Sequence, residues 1–207
     1  HSAVGLLEYL KEKEDYYNFL KSWFDDKDYI LTNTSGSTGK PKEIKLKKLD
    51  LIESSKLTAS YFDLKVGDKI INCLPIKYIA GKMMLVRSLV LGLDLYIFPA
   101  TSSPISELKK NYELVAFTPI QLENSILFIE KINKVLVGGS GVQDTLKEKI
   151  LKSKSTVYET YGMTETITHV AARNLSVGEK EFTTLPGIEI GEKDNCLYIK
   201  PNHLSVE

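Results

Sequence analysis

The segment Thr34-Ser35-Gly36-Ser37-Thr38-Gly39-Lys40-Pro41-Lys42 gathers hydroxyls, ammonium groups and two glycines into one short stretch. Glycine lets backbone amides approach a ligand closely, and hydroxyls and ammonium groups donate to anionic oxygens, so this is the make-up of a loop that meets phosphate. A Walker A loop needs glycine first in G-x-x-x-x-G-K-[ST] and a hydroxyl last. Thr34 and Pro41 stand in those places, which argues against a conventional P-loop NTPase. A second group is Glu159-Thr160-Tyr161-Gly162-Met163-Thr164-Glu165. Tyr161 offers a flat face to a base, Gly162 a close turn, Thr164 a hydroxyl donor and Glu165 a hard oxygen ligand for magnesium. Between the two, Val137-Gly138-Gly139-Ser140-Gly141 falls where a strand should give way to a helix, a junction that admits close backbone approach and favours an anion or a polar edge. Each has a bland reading when taken singly: a Ser/Gly linker, a core tyrosine beside a solvated glutamate, an ordinary strand-to-helix turn.

The elements that must carry these groups follow from hydrophobic periodicity. Leu6, Leu7, Leu10, Tyr17, Leu20 and Phe24 recur at helical spacing, and Tyr29 to Thr32 reads as a strand running into the Ser/Gly loop. Strands at Lys69 to Leu74, Leu93 to Phe98, Leu114 to Phe117, Lys134 to Val137 and Thr156 to Glu159 alternate with helical stretches. Those stretches are Leu49 to Phe62, Ala80 to Leu91, one beginning near Pro104, Pro119 to about Phe128, and Val142 to Leu151. Alternation of this kind predicts an α/β fold, a parallel sheet layered with helices. Past Tyr161 the helical period ends, and Thr168 to Ala172, Gly187 to Ile190 and Cys196 to Lys200 read as short strands of a small β region. The division is thus an α/β part over 1–165 and a β part over 166–207.

At 207 residues and 43% apolar content the chain is long enough for a core of its own. Lys plus Arg and Asp plus Glu both total 27, so no global field would hold nucleic acid or an anionic membrane. The longest apolar run, Met83 to Leu95, is broken by Arg87, Gly92 and Asp94, so no membrane insertion is expected. Cys73 and Cys196 fit neither a metal spacing nor a disulfide framework and suit a reducing, cytoplasmic setting. The three histidines have no metal-binding spacing, and His169 reads as a β-region residue near the pocket. Oligomeric state is left open.

The string from Thr34 to Lys42 resembles the phosphate loop of the adenylate-forming enzymes, the superfamily of acyl- and aryl-CoA synthetases, luciferases and peptide-synthetase adenylation domains. Tyr161-Gly162-Met163-Thr164-Glu165 resembles its Y-G-x-T-E signature, and Gly138-Gly139-Ser140 its adenine-side turn. Three stations in the right order carry the resemblance over roughly Ile30 to Ile190. It implies phosphate contacts from Thr34, Ser35, Gly36, Ser37, Thr38, Gly39 and Lys42, with Lys42 also serving catalysis. It further implies an adenine site at Gly139, Ser140, Gly141, Tyr161 and Gly162, an α-phosphate contact from Thr164, and magnesium on Glu165. The reaction implied is activation of a carboxylate by ATP with magnesium, giving an acyl-adenylate and then a thioester with coenzyme A. Another aryl- or acyl-CoA ligase, a carrier-loading adenylation domain and a nucleotide-binding domain without chemistry are the alternatives.

The resemblance also implies that the acid lies along Leu74-Pro75-Ile76-Lys77-Tyr78-Ile79-Ala80-Gly81 and the following helix, with Tyr78, Gly81, Arg87 and Gly138 as substrate residues. Many relatives carry histidine where Tyr78 stands. Arg87 sits among Met83, Met84, Leu85, Val86, Leu89 and Val90, so it must either snorkel to water or meet an anion. A proline, a glycine and then an arginine in this arrangement, together with Leu185-Pro186-Gly187, resemble the o-succinylbenzoate-CoA ligases of menaquinone synthesis, whose substrate is a dicarboxylate. The family's ribose-binding aspartate, hinge and lid lysine have no counterpart before Glu207, so weak nucleotide binding and slow turnover are expected of this chain alone.

Overall fold

The computed structural model describes residues 14–33 and 42–201. Helix α1 spans Glu14–Trp23, β1 spans Tyr29–Asn33, β2 spans Glu43–Lys47 and α2 spans Lys48–Phe62. Then come β3 (Lys69–Asn72), α3 (Ile79–Leu91), β4 (Asp94–Ile97), β5 (Tyr112–Phe117) and α4 (Pro119–Ser125), the last running into a 3-10 turn over Ile126–Lys131. Strand β6 (Ile132–Val137), α5 (Asp144–Ile150) and β7 (Thr156–Gly162) complete the alternating part. After it lie β8 (His169–Asn174), β9 (Thr183–Thr184), β10 (Ile188–Lys193) and β11 (Cys196–Pro201).

Seven strands form one sheet in the order β4-β3-β5-β6-β7-β8-β9, parallel from β4 to β7 and antiparallel from β7 to β9. The parallel part follows from the helices between its strands, because each crossover returns the chain in the same direction. Side chains alternate across it. Ile71, Val115, Val135, Val137 and Val157 face a layer holding Leu122, Leu146 and Ile150 from α4 and α5. Ile70, Leu114, Leu136 and Ala172 face Phe62 of α2 and Met84 of α3. The far side of α3, through Met83, Leu85 and Val86, packs on α1 and the β1-β2 pair. Helix α3 is therefore covered on two sides, which explains why residues 81–88 are all buried.

Local signals set the ends of these helices. Thr118 accepts from Gln121 N while the Gln121 side chain accepts from Thr118 N, a capping box with Pro119 in the first turn. Helix α3 ends at Gly92, whose φ of 66° admits the left-handed closing turn.

Three expectations change. No helix begins near Pro104: that stretch is irregular and buries Ile105 and Leu108, whose spacing by three mimics a helical face. Gln121 ties it down by donating to the Thr101 carbonyl. A strand appears at Glu43–Lys47 within the lysine-rich stretch, pairing antiparallel with β1 so that Leu46 is buried and the charges face outward. The expected β region divides: β8 and β9 extend the main sheet, and only β10 and β11 make a separate ribbon. The part of the first expected helix before Glu14 lies outside the described residues.

Candidate active site

The carboxyl ends of β6 and β7 bring the two downstream motifs side by side. Val137 pairs with Glu159, and the next residue, Gly138, lies against Thr160. A Cβ on Gly138 would stand 2.7 Å from Thr160 Oγ1, the hydroxyl that donates to the Val137 carbonyl. Gly139 takes φ 87°, a conformation glycine adopts without strain, and Gly139, Ser140 and Gly141 are exposed. In an open α/β sheet, the crevice at strand carboxyl ends is where ligands bind.

Glu159 locks this corner. It is 4% exposed, accepts from Arg173 Nε and Nη2 at 2.9 and 2.7 Å, and accepts the Val142 N–H at 3.1 Å. One carboxylate thus joins β7, β8 and the turn entering α5, a pairing that sequence spacing did not disclose.

At the end of β7, Tyr161 is half exposed, with Phe182 edge-on to its ring at 6.4 Å. Gly162 faces β8 so closely that a Cβ would lie 2.3 Å from the Thr168 carbonyl oxygen. The chain then makes a single 3-10 turn, Thr164–Thr166, with the Thr164 side chain buried and Glu165 in solvent. Ile167 follows at φ 67°, an unusual conformation for a β-branched residue and the kind of strain that concentrates at functional turns. Thr166 Oγ1 holds the kink: it accepts the Met163 N–H and places its single proton within reach of the Thr168 and Met163 carbonyls, at 2.9 and 3.0 Å.

That kink delivers Thr168 to Arg87. The guanidinium is 3% exposed, so it does not snorkel, and the reason is the double cover on α3. Its Nη2 donates to Thr168 Oγ1 at 2.6 Å, Nη1 lies 3.6 Å from Met84 Sδ, and Nε is buried without a hydrogen-bond partner. Among the described residues no carboxylate pairs with it. Burial pulls its pKa down to about 10, which leaves it charged at neutral pH. Beside it, His169 is buried with Nδ1 3.1 Å from Thr168 Oγ1 and Nε2 3.4 Å from Thr58 Oγ1. Burial, then the Arg87 charge, push the imidazole pKa well below its ordinary value.

Of the other expected substrate residues, Gly81 packs tightly enough that a Cβ would be 2.4 Å from the Pro75 carbonyl oxygen. Tyr78 is exposed at the start of α3, with Lys77 Nζ 4.9 Å from its ring centre. Lys82, which the sequence did not mark, is buried and donates to Thr32 Oγ1 at 3.1 Å and the Lys77 carbonyl at 3.2 Å. It ties α3 to the strand that leads into residues 34–41, beside a cleft of about 230 Å³ lined also by Asp15 and Asn18. Thr34, Ser35, Gly36, Ser37, Thr38 and Gly39 lie outside the described residues, whereas Lys42 is exposed just before β2. No group of three or more His, Cys, Asp or Glu side chains among the described residues is disposed to hold a metal, so Glu165 would contribute a single carboxylate. No helix among them is long and apolar enough to cross a membrane.

Known proteins share the fold of this chain. An acyl-CoA synthetase (AMP-forming)/AMP-acid ligase II-like protein from Dyadobacter fermentans superposes with a TM-score of 0.82 at 35% identity, over 91% of this chain and 57% of that one. The O-succinylbenzoate coenzyme A synthetase of Bacillus subtilis, solved with ATP and magnesium, has the same fold with a TM-score of 0.72 at 20% identity, over 85% and 42%. Among curated proteins, the D-alanine–D-alanyl carrier protein ligase of Bacillus cytotoxicus is 24% identical over 83% of this chain and 37% of its own. The 2-succinylbenzoate–CoA ligase of a Geobacillus species is 28% identical over 77% and 33%. The chain thus spans about a third of the length of these curated relatives. The family model for AMP-binding enzymes matches residues 7–190, most of the sequence, and the chain belongs to that family of adenylate-forming enzymes.

Proposed function

We propose that the chain forms the adenylating lobe of an acid–thiol ligase whose acid carries a second carboxylate, with o-succinylbenzoate as the leading candidate. The observation that carries this reading is Arg87, a charged guanidinium buried against Thr168, with no carboxylate partner among the described residues and an orphaned Nε–H. A buried unpaired charge is costly, and an anionic ligand group removes the cost. The ligase relatives named for 2-succinylbenzoate, including the structures that hold its adenylate, support the choice of acid.

In this reading ATP lies across the carboxyl ends of β6 and β7. Gly139, Ser140, Gly141 and the exposed ring of Tyr161 border the base, and Thr164 donates toward the α-phosphate. Contacts to the remaining phosphates are assigned from the sequence motif to Thr34, Ser35, Gly36, Ser37, Thr38, Gly39 and Lys42. The residues fit such a ligand: glycines stand where a side chain would collide with its own sheet, and a hydroxyl and a carboxylate flank a tight turn. Magnesium, held through Glu165, would neutralise phosphate charge. The substrate carboxylate is already ionised, so its oxygen attacks the α-phosphorus without a protein base and pyrophosphate leaves. The protein's part is orientation and charge stabilisation. Coenzyme A thiolate then attacks the acyl carbon and AMP departs.

The carrier-loading alternative has a relative in the D-alanyl carrier ligase. An amino acid would bring an ammonium group toward Arg87, which opposes binding, so the dicarboxylate is favoured. The test is pyrophosphate release with ATP and magnesium on a panel of o-succinylbenzoate, benzoate, fatty acids and D-alanine, with and without coenzyme A. Preference for o-succinylbenzoate that Arg87→Ala removes supports the reading, and preference for D-alanine or a monocarboxylate overturns it.

A further inference from the structure

Among the described residues Thr168 Oγ1 meets both Arg87 and His169, and one placement of the protons along that path uses every donor. A guanidinium has donors and no acceptor, so Thr168 Oγ1 must accept from Nη2. At the other end, Thr58 Oγ1 lies 3.0 Å from the Ser54 carbonyl and, donating there, accepts from His169. With His169 donating from Nε2, Nδ1 accepts the Thr168 proton, and every donor along the path is used. The opposite tautomer would turn the Thr58 proton away from the Ser54 carbonyl and leave the Thr168 proton without an acceptor on the path.

We propose that His169, held neutral as the Nε2–H tautomer between Thr58 and Thr168, is a positioning residue that turns the Thr168 lone pair toward Arg87 and so fixes the guanidinium for the acid's second carboxylate. The functional half rests on the dicarboxylate reading above; the tautomer half stands on geometry alone. Packing gives the relay its rigidity. His169 pairs with Gly162 across β7 and β8, Phe62 stands edge-on to the ring at 5.5 Å, and the Ile167 kink fixes Thr168. Thr58 and Phe62 from α2 and Thr168 on the adjoining turn are uncharged, and Arg87 from α3 is the charge that acts on the ring. A proton on Nδ1 would turn that nitrogen into a donor, deprive the Thr168 hydroxyl proton of its acceptor and place a second cation beside Arg87.

With three histidines in the chain, ring nitrogen NMR with His169→Gln as the assignment control isolates this imidazole. The expected result is a neutral Nε2–H signature unchanged between pH 8 and 5.5, lost or mixed in Thr168→Val. An ordinary titration, or the same tautomer in Thr168→Val, overturns the relay. The functional arm compares binding of o-succinylbenzoate with the same keto acid lacking the ring carboxylate. His169→Phe should weaken the former about tenfold and leave the latter within twofold, and His169→Gln, which keeps an acceptor and a donor, should recover most of the loss. Equal binding of both acids by the unaltered protein would sink the dicarboxylate reading and with it the functional half, while the NMR arm still decides the relay. A retained preference in His169→Phe overturns the positioning role.

Discussion

Replacing Arg87 by Met should make the ligand-free protein more stable while weakening its hold on a dicarboxylate. Burial lowers the guanidinium pKa to about 10, equivalent to ~3 kcal/mol of disfavoured charging for a side chain that is 3% exposed. The substitution also removes the orphaned Nε–H and puts a thioether of similar length among Met84, Leu85 and Val86. Against this stands the loss of one charge-assisted hydrogen bond to Thr168, worth ~1.5–3 kcal/mol. The balance is a net gain of ~1 kcal/mol, which for a chain of this size raises Tm by about 2–4 °C. Adding o-succinylbenzoate should reverse the order, because loss of the charged contact costs ~2–3 kcal/mol of binding, roughly 30- to 150-fold in affinity. Thermal unfolding followed by circular dichroism, with and without the acid, reads both effects. A Tm several degrees lower in ligand-free Arg87→Met would refute the reasoning, since it would mean that the guanidinium is satisfied within the folded chain.

Glu159→Ala should cost ~3–5 kcal/mol, because it strands Arg173 and the Val142 N–H at a buried corner; denaturant titration checks this. Gly162→Ala should disrupt the β7-β8 bulge, since its Cβ would meet backbone at 2.3 Å, and protection of the β8 amides in hydrogen exchange should fall with it. Because the folded His169 pKa lies below the ordinary 6.5, the unfolded chain takes up a proton that the folded chain refuses. Stability is then complete above pH ~6.5 and declines as pH falls through that value, and His169→Gln should flatten this part of a Tm-against-pH curve. Glu165→Gln, at an exposed position, should leave Tm within a degree yet abolish magnesium-dependent pyrophosphate release.

The parallel alternation of strands and helices was legible because burial imposes a period on the sequence, as in α3 and its flanking strands. The glycine stations were legible for a different reason: Gly138 and Gly162 sit where a Cβ has no room, a local demand that the residue type itself records. Local pattern misled at Ile105 and Leu108, whose helical spacing serves an irregular crossover, and it passed over β2, where lysines on the solvent face masked the alternation of Ile44 and Leu46. The sequence by itself determined the fold class and the motifs at the carboxyl ends of β6 and β7, and it set the choice at Arg87 between water and an anion. Tertiary structure alone closed off the water side, through the second layer on α3 that shuts the guanidinium from solvent. It alone joined Glu159 to Arg173 and Arg87 to Thr168, His169 and Thr58, for these contacts cross up to 111 positions and are specified by how sheets and helices stack, which no local period encodes.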